Sequence, residues 1–303
     1  MYSGKRVLVI LNPSSGREVA TTVSSRVEDA LGRHGASHVT MRFTAGPDDA
    51  LAWAATAAES DFDIVLAGGG DGTVADVAHG VLGQARKLTI GIIPLGTGNG
   101  LARVLGIPMD PVAAVDEMAR GGLADLDVIS VVSHDRTSLL FLGAGLDAEI
   151  NRDADKAEKA RLGFLAYVKA TLANVRGRRN HELRLVIDGK ETVRQGHTVM
   201  MFNAARIDIL GATFGPNSDP HDGIADLAVL SSPGTLAVVL QVLRLLNPTA
   251  SQPTLIPVRE LELHADPPLL VQIDGDVIGQ TPLRVQLKPG ALRLIAARNY
   301  GPR

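Results

Sequence analysis

The sequence predicts an α/β protein in which a doubly wound α/β domain is followed by a β-rich, sandwich-like domain. Strand-like and helical segments alternate up to Gly121-Gly122, and glycine turns follow several of the strands. This alternation is typical of a parallel sheet covered by helices. After Asp125 the segments are mostly strand-like and are separated by turn residues. We therefore expect domains at 1–123 and 124–303. In an alternative arrangement, the last residues of the chain return to the first domain.

The first domain is expected to alternate strands with helices. Apolar, β-branched runs predict the strands, and apolar residues with helical spacing predict the helices. The predicted strands are 6–11, 38–43, 64–66 and 88–93, and the predicted helices are 19–31, 50–58, 74–82 and 101–105. Because ligands bind at the carboxyl ends of parallel strands, the turns after these strands are candidate binding segments.

The second domain is expected to consist mainly of strands. Its predicted strands are 126–132, 138–142, 182–187, 198–203, 225–230, 261–264, 269–273, 283–287 and 291–296. Two helices, 156–175 and 235–246, are predicted to interrupt them. Short strands with hairpin-like punctuation favour a sandwich-like arrangement.

Composition limits the functions that are open to the chain. Of its 303 residues, 45% are hydrophobic and 21% are charged, which is ordinary for a folded globular protein. The formal net charge of −3 gives no overall attraction to nucleic acid, so no nucleic-acid partner is expected. The absence of cysteine excludes disulfides, thiolate metal sites and cysteine nucleophiles. Without a signal-peptide pattern or an apolar run of membrane-spanning length, a cytoplasmic location is expected.

The most informative segment is the first glycine turn, residues 67–73, which reads Ala-Gly-Gly-Gly-Asp-Gly-Thr between a predicted strand and a predicted helix. Glycines let backbone N–H groups approach a phosphate, and a helix N-terminus attracts negative charge. Asp71 would repel phosphates unless a cation lies between them, which Mg²⁺ with a nucleotide would provide. For one such turn alone, a tight connection without a ligand is the simpler alternative.

A second glycine turn, residues 94–100, strengthens the nucleotide hypothesis. It reads Pro-Leu-Gly-Thr-Gly-Asn-Gly, again between a strand and a helix, and the Thr97 hydroxyl can donate to a phosphate. Neither turn has the Gly-Lys-Ser/Thr of a Walker A loop or the glycine spacing of a dinucleotide fingerprint. Two such turns at neighbouring strand ends indicate a phosphate-binding site that belongs to neither of these classes.

Three further motifs have both a structural and a functional interpretation. Asn12-Pro13-Ser14-Ser15-Gly16 has turn composition, but it ends the first predicted strand, where its side chains would face a nucleotide. Asp274-Gly275-Asp276 and His221-Asp222-Gly223 also have turn composition. A turn does not require the second carboxylate, Asp276, so a functional interpretation of that motif remains open.

Together these residues resemble a known family. The segments occur in the family's order: Asn12-Pro13-Ser14-Ser15-Gly16, Gly69-Gly70-Asp71-Gly72-Thr73, Leu95-Gly96-Thr97-Gly98-Asn99, Gly143-Ala144-Gly145-Leu146-Asp147-Ala148, His221-Asp222-Gly223 and Asp274-Gly275-Asp276. With them the sequence, from residue 7 to about 296, resembles the diacylglycerol kinase and sphingosine kinase catalytic domain, especially its soluble bacterial members. The resemblance implies a lipid kinase that uses ATP and Mg²⁺, with its active site in a cleft between the domains and a lipid pocket in the second.

The resemblance also implies roles for individual residues. The implied nucleotide contacts are Asn12, Thr44, Gly69, Gly70, Asp71, Gly72, Thr73 and Thr97. Asp71 is similar to a carboxylate that organises Mg²⁺ and the phosphates, and Asp274 and Asp276 match acidic residues that take the proton from the lipid hydroxyl. A structural Mg²⁺ site is implied at Asp222 and the backbone carbonyls of Asp219 and Ile224.

Three positions depart from the family pattern. Gly100 stands where many bacterial diacylglycerol kinases have an aspartate, His221 replaces an aspartate, and Asp276 is shorter than the usual glutamate. The sphingosine-type branch also lacks the acid at the position of Gly100. The substrate therefore stays open among diacylglycerol, a sphingoid lipid and a related lipid.

A lipid substrate implies peripheral contact with the inner membrane face. Basic residues flank the apolar run 162–168, as in an interfacial helix: Lys156, Lys159, Arg161, Arg176, Arg178 and Arg179. A core helix with solvated ends is the alternative. A homodimer is one option for assembly. The other functions to weigh are an NAD kinase-like enzyme with a soluble acceptor and a non-catalytic lipid- or nucleotide-binding homologue.

Overall fold

The computed structural model describes residues 1–13, 20–153, 180–204, 207–209, 212–214, 218–231 and 255–301. The predicted helices 156–175 and 235–246 lie outside these residues. The chain divides into two compact units, of which the first comprises Met1–Asp127 and Gly290–Arg303 and the second comprises Val128–Pro289.

The first unit contains a parallel sheet with helices between its strands. Its strands are β1 (Arg6–Leu11), β2 (His38–Phe43), β3 (Ile64–Gly69) and β4 (Thr89–Pro94). Its helices are α1 (Ala20–Arg33), α2 (Asp49–Ala55), α3 (Asp71–Val81), α4 (Gly100–Val104) and α5 (Pro111–Arg120). Two strands cross the boundary between the units, β5 (Gly122–Val131) and β18 (Leu283–Ala296).

The order of the parallel strands, β2-β1-β3-β4, places their carboxyl ends at one edge of the sheet. The later part of β18 continues the sheet beside β4, where Arg293 pairs with Thr89. All six residues of β3 and the last five of β1 are buried, as expected for strands covered on both faces. The predicted doubly wound architecture is therefore confirmed.

The helices of the first unit differ from the predicted ones in their bounds, with α2 ending at Ala55 rather than at 58, and in one additional helix. Helix α3 begins at Asp71 rather than at residue 74, so the carboxylate of the first glycine turn stands in the first turn of a helix. Helix α5 was not predicted, although Asp110 and Pro111 are a typical start signal. The Asp110 side chain accepts the N–H of Ala113 at 2.8 Å, which caps the helix.

The second unit contains mostly antiparallel strands. In chain order its remaining elements are β6 (Arg136–Ser138), β7 (Phe141–Gly145), α6 (Leu146–Asp153), β8 (His181–Ile187), β9 (Lys190–Gly196), β10 (Thr198–Phe202), β11 (Ile207–Ile209), β12 (Ala212–Phe214), β13 (Ala225–Leu230), β14 (Ile256–Val258), β15 (Glu260–Asp266), β16 (Leu270–Ile273) and β17 (Asp276–Gln280). One sheet has the order β14-β13-β10-β7-β16-β17, and a second run has the order β18-β15-β8-β9.

These two sets of strands share one apolar core. Val199 and Val271 from the first set pack in the same cluster as Leu185, Leu261 and Val285 from the second. Two sheets that bury their inner faces against each other form a sandwich. The β-rich, sandwich-like second domain is thus confirmed.

Two strand predictions in this part of the chain were wrong. The predicted strand 138–142 is divided between β6 and β7, because the N–H groups of Leu139 and Leu140 donate to a side chain. The predicted strands 283–287 and 291–296 are one strand, β18. It continues through Gly290, whose N–H donates to the Asp127 carboxylate at 2.7 Å.

None of the helices within the described part of the chain is both long enough and apolar enough to cross a bilayer.

Candidate active site

The carboxyl edge of the parallel sheet in the first unit gathers the predicted nucleotide-binding residues. The Asn12 N–H donates to the carbonyl of Gly68 at 2.8 Å, which holds the end of β1 beside the first glycine turn. The Asn12 side-chain amide donates to the Thr73 hydroxyl at 3.1 Å. The Thr44 N–H donates to the carbonyl of Leu11 at 2.9 Å. Three separate chain segments therefore meet at this edge.

The two glycine turns pack backbone against backbone. A Cβ added to Gly96 would lie 2.5 Å from the Cα of Gly70, closer than real Cβ atoms come. A Cβ on Gly69 would lie 2.4 Å from the Thr73 hydroxyl oxygen. Glycine is required at 96 because a side chain would push the two turns apart, and at 69 because a side chain would collide with Thr73. The sequence predicted that the two turns neighbour each other, and the structure confirms this.

Asp71 connects the two turns. Its carboxylate accepts the N–H of Gly100 at 3.0 Å and the N–H of Leu101 at 3.2 Å. Asp71 thereby satisfies two N–H groups at the start of α4, which a helix cannot satisfy internally. These two N–H groups at the start of α4 therefore donate to Asp71 within the protein.

Asn99 shapes the second glycine turn and was missed as a site residue by sequence reasoning. It adopts a left-handed backbone conformation with φ of 49°, which asparagine tolerates better than most residues. Its buried side chain donates to the carbonyl of Gly96 at 2.7 Å and accepts the Gly96 N–H at 3.0 Å. This ring of hydrogen bonds leaves Thr97 and Gly98 exposed at the tip of the turn.

The loop that contains Thr44 is held by Asp49, which the sequence did not single out. The Asp49 carboxylate accepts the N–H groups of Ala45 and Gly46 at 2.7 and 2.8 Å. These bonds favour the ionised form and lower the pKa of Asp49. Asp49 therefore fixes the backbone that follows Thr44.

In the second unit, Asp274 and Gly275 form the two-residue turn between β16 and β17. Their φ angles of 48° and 99° are those of the tight hairpin turn that Asp-Gly favours. The Asp274 N–H donates to the carbonyl of Phe141 at 3.0 Å. Asp276, the first residue of β17, lies opposite Ile273 and is exposed.

The Asp274 carboxylate accepts four hydrogen bonds from one short segment. Oδ1 accepts the Ser138 hydroxyl at 2.8 Å and the N–H groups of Leu140 and Phe141 at 3.0 Å, and Oδ2 accepts the N–H of Leu139 at 2.8 Å. Among the described residues, Leu139 is the sole donor to Oδ2. Burial of this carboxylate raises its pKa to about 6, against the opposing effect of the four donors. Asp274 is thus a rigidly held carboxylate whose Oδ2 has room for a proton.

The proposed metal loop, residues 219–224, is a tight turn. The Asp222 carboxylate accepts the N–H of Ile224 at 2.9 Å, and the Asp219 carboxylate accepts the N–H of His221 at 3.1 Å. One carboxylate and two backbone carbonyls are oxygen ligands of the kind that Mg²⁺ prefers. Within the described ranges, no group of three or more His, Cys, Asp or Glu side chains is arranged so that it could hold a metal ion.

The predicted basic, membrane-facing residues between Lys156 and Arg179 lie outside the described part of the chain.

Two family models match successive parts of the sequence. The family described as the diacylglycerol kinase catalytic domain matches residues 6–131, and the family described as the YegS C-terminal NAD kinase beta sandwich-like domain matches residues 141–296. The first match contains both glycine turns, and the second contains the Asp274–Asp276 segment.

Individual proteins are also similar. A diacylglycerol kinase of Bacillus subtilis strain 168 is 32% identical over 229 residues, which are 75% of this chain and 74% of that protein. An uncharacterised protein of Synechocystis sp. is 30% identical over 239 residues, which are 77% of this chain and 54% of that longer protein. The crystal structure of a diacylglycerol kinase from Bacillus anthracis strain Sterne is similar with a TM-score of 0.80 at 25% identity, covering 96% of this chain and 97% of that chain.

Proposed function

The chain belongs to the diacylglycerol kinase catalytic-domain family of lipid kinases, and we propose that it transfers the γ-phosphoryl group of ATP to the hydroxyl of a lipid. The observation that carries this proposal is the junction of the two glycine turns through Asp71 and Gly100 at the carboxyl edge of the parallel sheet. Family membership indicates the class of reaction, and the junction indicates where the phosphate donor binds.

We assign ATP to the first unit because its turns suit a polyphosphate. The backbones of Gly70 and Gly96 approach closely, and glycines at 69, 70 and 96 carry no side chain that would stand between the main chain and a bound anion. The exposed Thr97 hydroxyl can donate to a phosphate oxygen. Asn12 and Thr44, at the ends of β1 and β2, are the other proposed nucleotide contacts. Phosphoryl transfer depends mainly on alignment and charge neutralisation, which such a rigid site supplies.

Asp71 suits a magnesium–nucleotide complex. Mg²⁺ in phosphoryl-transfer enzymes is usually held by one or two carboxylates together with the substrate phosphates. The two N–H bonds from α4 occupy two of the roughly four lone-pair sites of a carboxylate and fix its orientation. When bound, the ion would neutralise charge on the phosphates. Asp222, with the carbonyls of Asp219 and Ile224, is the proposed second, structural Mg²⁺ site.

We propose that Asp274 accepts the proton of the lipid hydroxyl, with Asp276 as a second carboxylate beside it. A raised pKa of about 6 makes Asp274 a stronger base than an ordinary aspartate. Four hydrogen bonds keep its orientation constant, and Oδ2 can receive the proton without breaking the bonds to Oδ1. The base remains far weaker than an alkoxide, so the proton would move only as the bond to phosphorus forms.

The lipid acceptor places the working enzyme at a membrane surface, as a peripheral protein of the inner face. The basic residues Lys156, Lys159, Arg161, Arg176, Arg178 and Arg179 are the proposed contacts with anionic headgroups. Sedimentation with anionic vesicles should decrease when these charges are replaced together. Sedimentation that does not respond to their replacement would remove this part of the proposal. Sedimentation equilibrium would determine whether the protein is a homodimer.

The central experiment offers purified protein ATP labelled in the γ-phosphate, Mg²⁺ and one acceptor at a time. The acceptors are diacylglycerol in mixed micelles, a sphingoid base, a total lipid extract and NAD. We expect label in the organic phase with at least one lipid acceptor, lost in Asp71→Asn and retained in Asp61→Asn. Asp61 is a suitable control because it is exposed in a turn with φ of 59°, where asparagine is tolerated.

The other outcomes identify the alternatives. Label transferred to NAD but not to lipid would replace the proposal with a soluble nucleotide kinase. Binding of ATP or lipid without transfer to any acceptor would indicate a non-catalytic homologue. The acceptor that gives the highest turnover identifies the substrate lipid.

A further inference from the structure

A buried polar pair lies behind the Asp274–Gly275 turn. Gln272 is fully buried on β16, and its side-chain N–H donates to Oδ2 of Asp147 at 2.5 Å. The other end of the same amide, Oε1, accepts the N–H of Gly275 at 2.8 Å. Asp147, also buried, stands in the first turn of α6. The amide of Gln272 thus links the start of a helix to the hairpin turn.

The neighbouring backbone accommodates this pair at positions where no side chain would fit. Gly143 on β7 pairs with Gln272 on β16. A Cβ on Gly143 would lie 2.2 Å from Oδ2 of Asp147 and 2.9 Å from Nε2 of Gln272. Gly145 has a φ of 97°, which most residues rarely adopt, and its Cβ would lie 2.2 Å from the His197 carbonyl. Gly143 therefore makes room for Asp147 and its contact, and Gly145 lets the end of β7 approach the His197 carbonyl.

Strand pairing alone does not require a buried carboxylate and amide at these positions. Burying polar groups costs free energy that an apolar pair of the same size would avoid. On the opposite face of the same strands, Leu142, Val271 and Ile273 are buried in an apolar core. The polar pair therefore has a role beyond packing. An apolar pair could not accept the hydrogen bond from the Gly275 N–H, whereas Gln272 does.

We propose that Asp147 and Gln272 are positioning residues of the lipid kinase reaction, which orient the Asp274–Gly275 turn together with the Ser138–Phe141 segment. This inference rests on the proposed role of Asp274. The four donors from that segment hold the Asp274 side chain, and Gln272 holds the following peptide. Asp147 keeps the Gln272 amide in the orientation that presents Oε1 to Gly275. With both sets of hydrogen bonds in place, the turn holds the carboxylates of Asp274 and Asp276 in a fixed position relative to each other.

An exchange of the two functional groups tests this directly. In Gln272→Glu, two carboxylates face each other and the contact is lost. In the double variant Asp147→Asn with Gln272→Glu, the amide introduced at position 147 can donate to the carboxylate introduced at position 272, whose other oxygen still accepts the Gly275 N–H. Gln272→Met is a neutral variant of similar size that makes neither bond. Gln280→Glu, an exposed position in the same hairpin, is the matched control.

Turnover and amide exchange are measured on all variants. We expect Gln272→Glu and Gln272→Met to lower kcat on the order of tenfold, the rate equivalent of one well-placed hydrogen bond. The KM for ATP should stay unchanged, and the Gly275 amide should exchange faster with solvent by NMR. The double variant should recover most of the kcat and the slow exchange, while Gln280→Glu behaves as the wild type.

The two proposals fail in different ways. Normal kcat in Gln272→Met despite faster exchange at Gly275, or a double variant no better than Gln272→Glu, would overturn the positioning role. Unchanged Gly275 exchange in Gln272→Met would overturn it even if Gln272→Glu does not fold. If the wild type phosphorylates no lipid, the proposed function fails and the role in turnover falls with it, whereas the exchange data still decide whether the pair holds the turn.

Discussion

Asp71 and Gly100 are joined by a 3.0 Å hydrogen bond from the Gly100 N–H to the Asp71 carboxylate, although they are 29 residues apart. This bond and the companion bond from Leu101 fasten the start of α4 to the start of α3. Asp71, which the sequence predicts to lie near Mg²⁺, therefore also fixes the position of α4 relative to α3.

Replacing Asp71 should affect both activity and stability. In Asp71→Asn the charge is lost, and the side-chain NH₂ cannot accept the bond that one carboxylate oxygen accepts. We expect kcat to fall on the order of a hundredfold or more, as in other electrostatically organised sites. Loss of the cap on α4 should lower the free energy of unfolding by about 1–2 kcal/mol. Steady-state kinetics and urea unfolding measure these effects.

The exposed Asp61 gives the control for that variant. Asp61→Asn makes the same chemical change in the same unit and should leave both quantities at their wild-type values. Near-normal turnover in Asp71→Asn would remove Asp71 from the catalytic residues, whatever its effect on stability.

Gly96→Ala should weaken nucleotide binding without removing any polar group. The new methyl group would lie 2.5 Å from the Cα of Gly70, so the two glycine turns must separate. Overpacking of this kind costs about 1–3 kcal/mol, so the Kd for ATP should rise about tenfold or more. Calorimetric titration with ATP measures it. Gly122→Ala, where no atom lies within 4 Å of the added methyl group, should bind ATP like the wild type.

The rate of lipid phosphorylation should follow the ionisation of Asp274. A base with a pKa of about 6 is ionised above that pH, so kcat should be constant near pH 8 and fall as the pH drops through 6. One unit below the pKa, the rate should be about tenfold lower. A pH–rate profile without an inflection between pH 5 and 7 would contradict the assignment of Asp274 as the base.

The contribution of Asp274 to the free energy of unfolding should fall as the pH rises, whereas the rate of phosphorylation should increase. Its pKa in the folded protein is above the ordinary value of 3.8, so the folded state takes up a proton first as the pH falls. The stabilisation that protonation gives is fully present below about pH 4 and is lost as the pH rises through 6. As the pH rises from 4 through 6, the free energy of unfolding of the wild type should therefore decrease relative to that of Asp274→Asn.

Asp188 offers a matched comparison for Asp274. It also begins an Asp-Gly hairpin turn, with φ of 47°, and its carboxylate accepts the N–H groups of Arg259 and Glu260. Asp188→Asn should lower stability while leaving kcat unchanged, whereas Asp274→Asn should lower kcat strongly. Equal kcat in the two variants would indicate that Asp274 serves the turn alone.

Gln84→Ala should destabilise the first unit. The Gln84 amide donates to the carbonyls of Ala54 and Gly80 and accepts the N–H of Ala58, which joins the ends of α2 and α3. Removing it leaves these backbone groups without partners, and we expect a loss of about 1–3 kcal/mol. Urea unfolding monitored by the single tryptophan, Trp53 on α2, measures the change. Gln195→Ala, at an exposed position of β9, should have little effect.

Local patterns in the sequence were sufficient for the framework of the first unit. The strand 38–43 was predicted at its observed bounds, and the glycine turns were placed correctly at strand ends. These features depend on residues close together in the chain, such as β-branched runs and glycines. Helix α5 also had a local signal, Asp110 followed by Pro111, which sequence reasoning overlooked.

Features that depend on distant partners were not predictable in the same way. The division of 138–142 into β6 and β7 arises from Asp274, more than 130 residues away, and the bond from the Gly290 N–H in β18 reaches Asp127, which is also more than 130 residues away in the chain. The residues close in sequence to 138–142 and to Gly290 contain no pattern that predicts either contact.

The fold class, the two glycine turns and the family to which the chain belongs were all predictable without coordinates, because they follow from short motifs and their order. The tertiary structure alone decided that Asp71 binds the start of α4, that Asp274 receives four donors from one segment, and that Gln272 links Asp147 to Gly275. The reason is physical: a hydrogen bond requires two groups within about 3 Å, and folding decides which distant residues reach that distance.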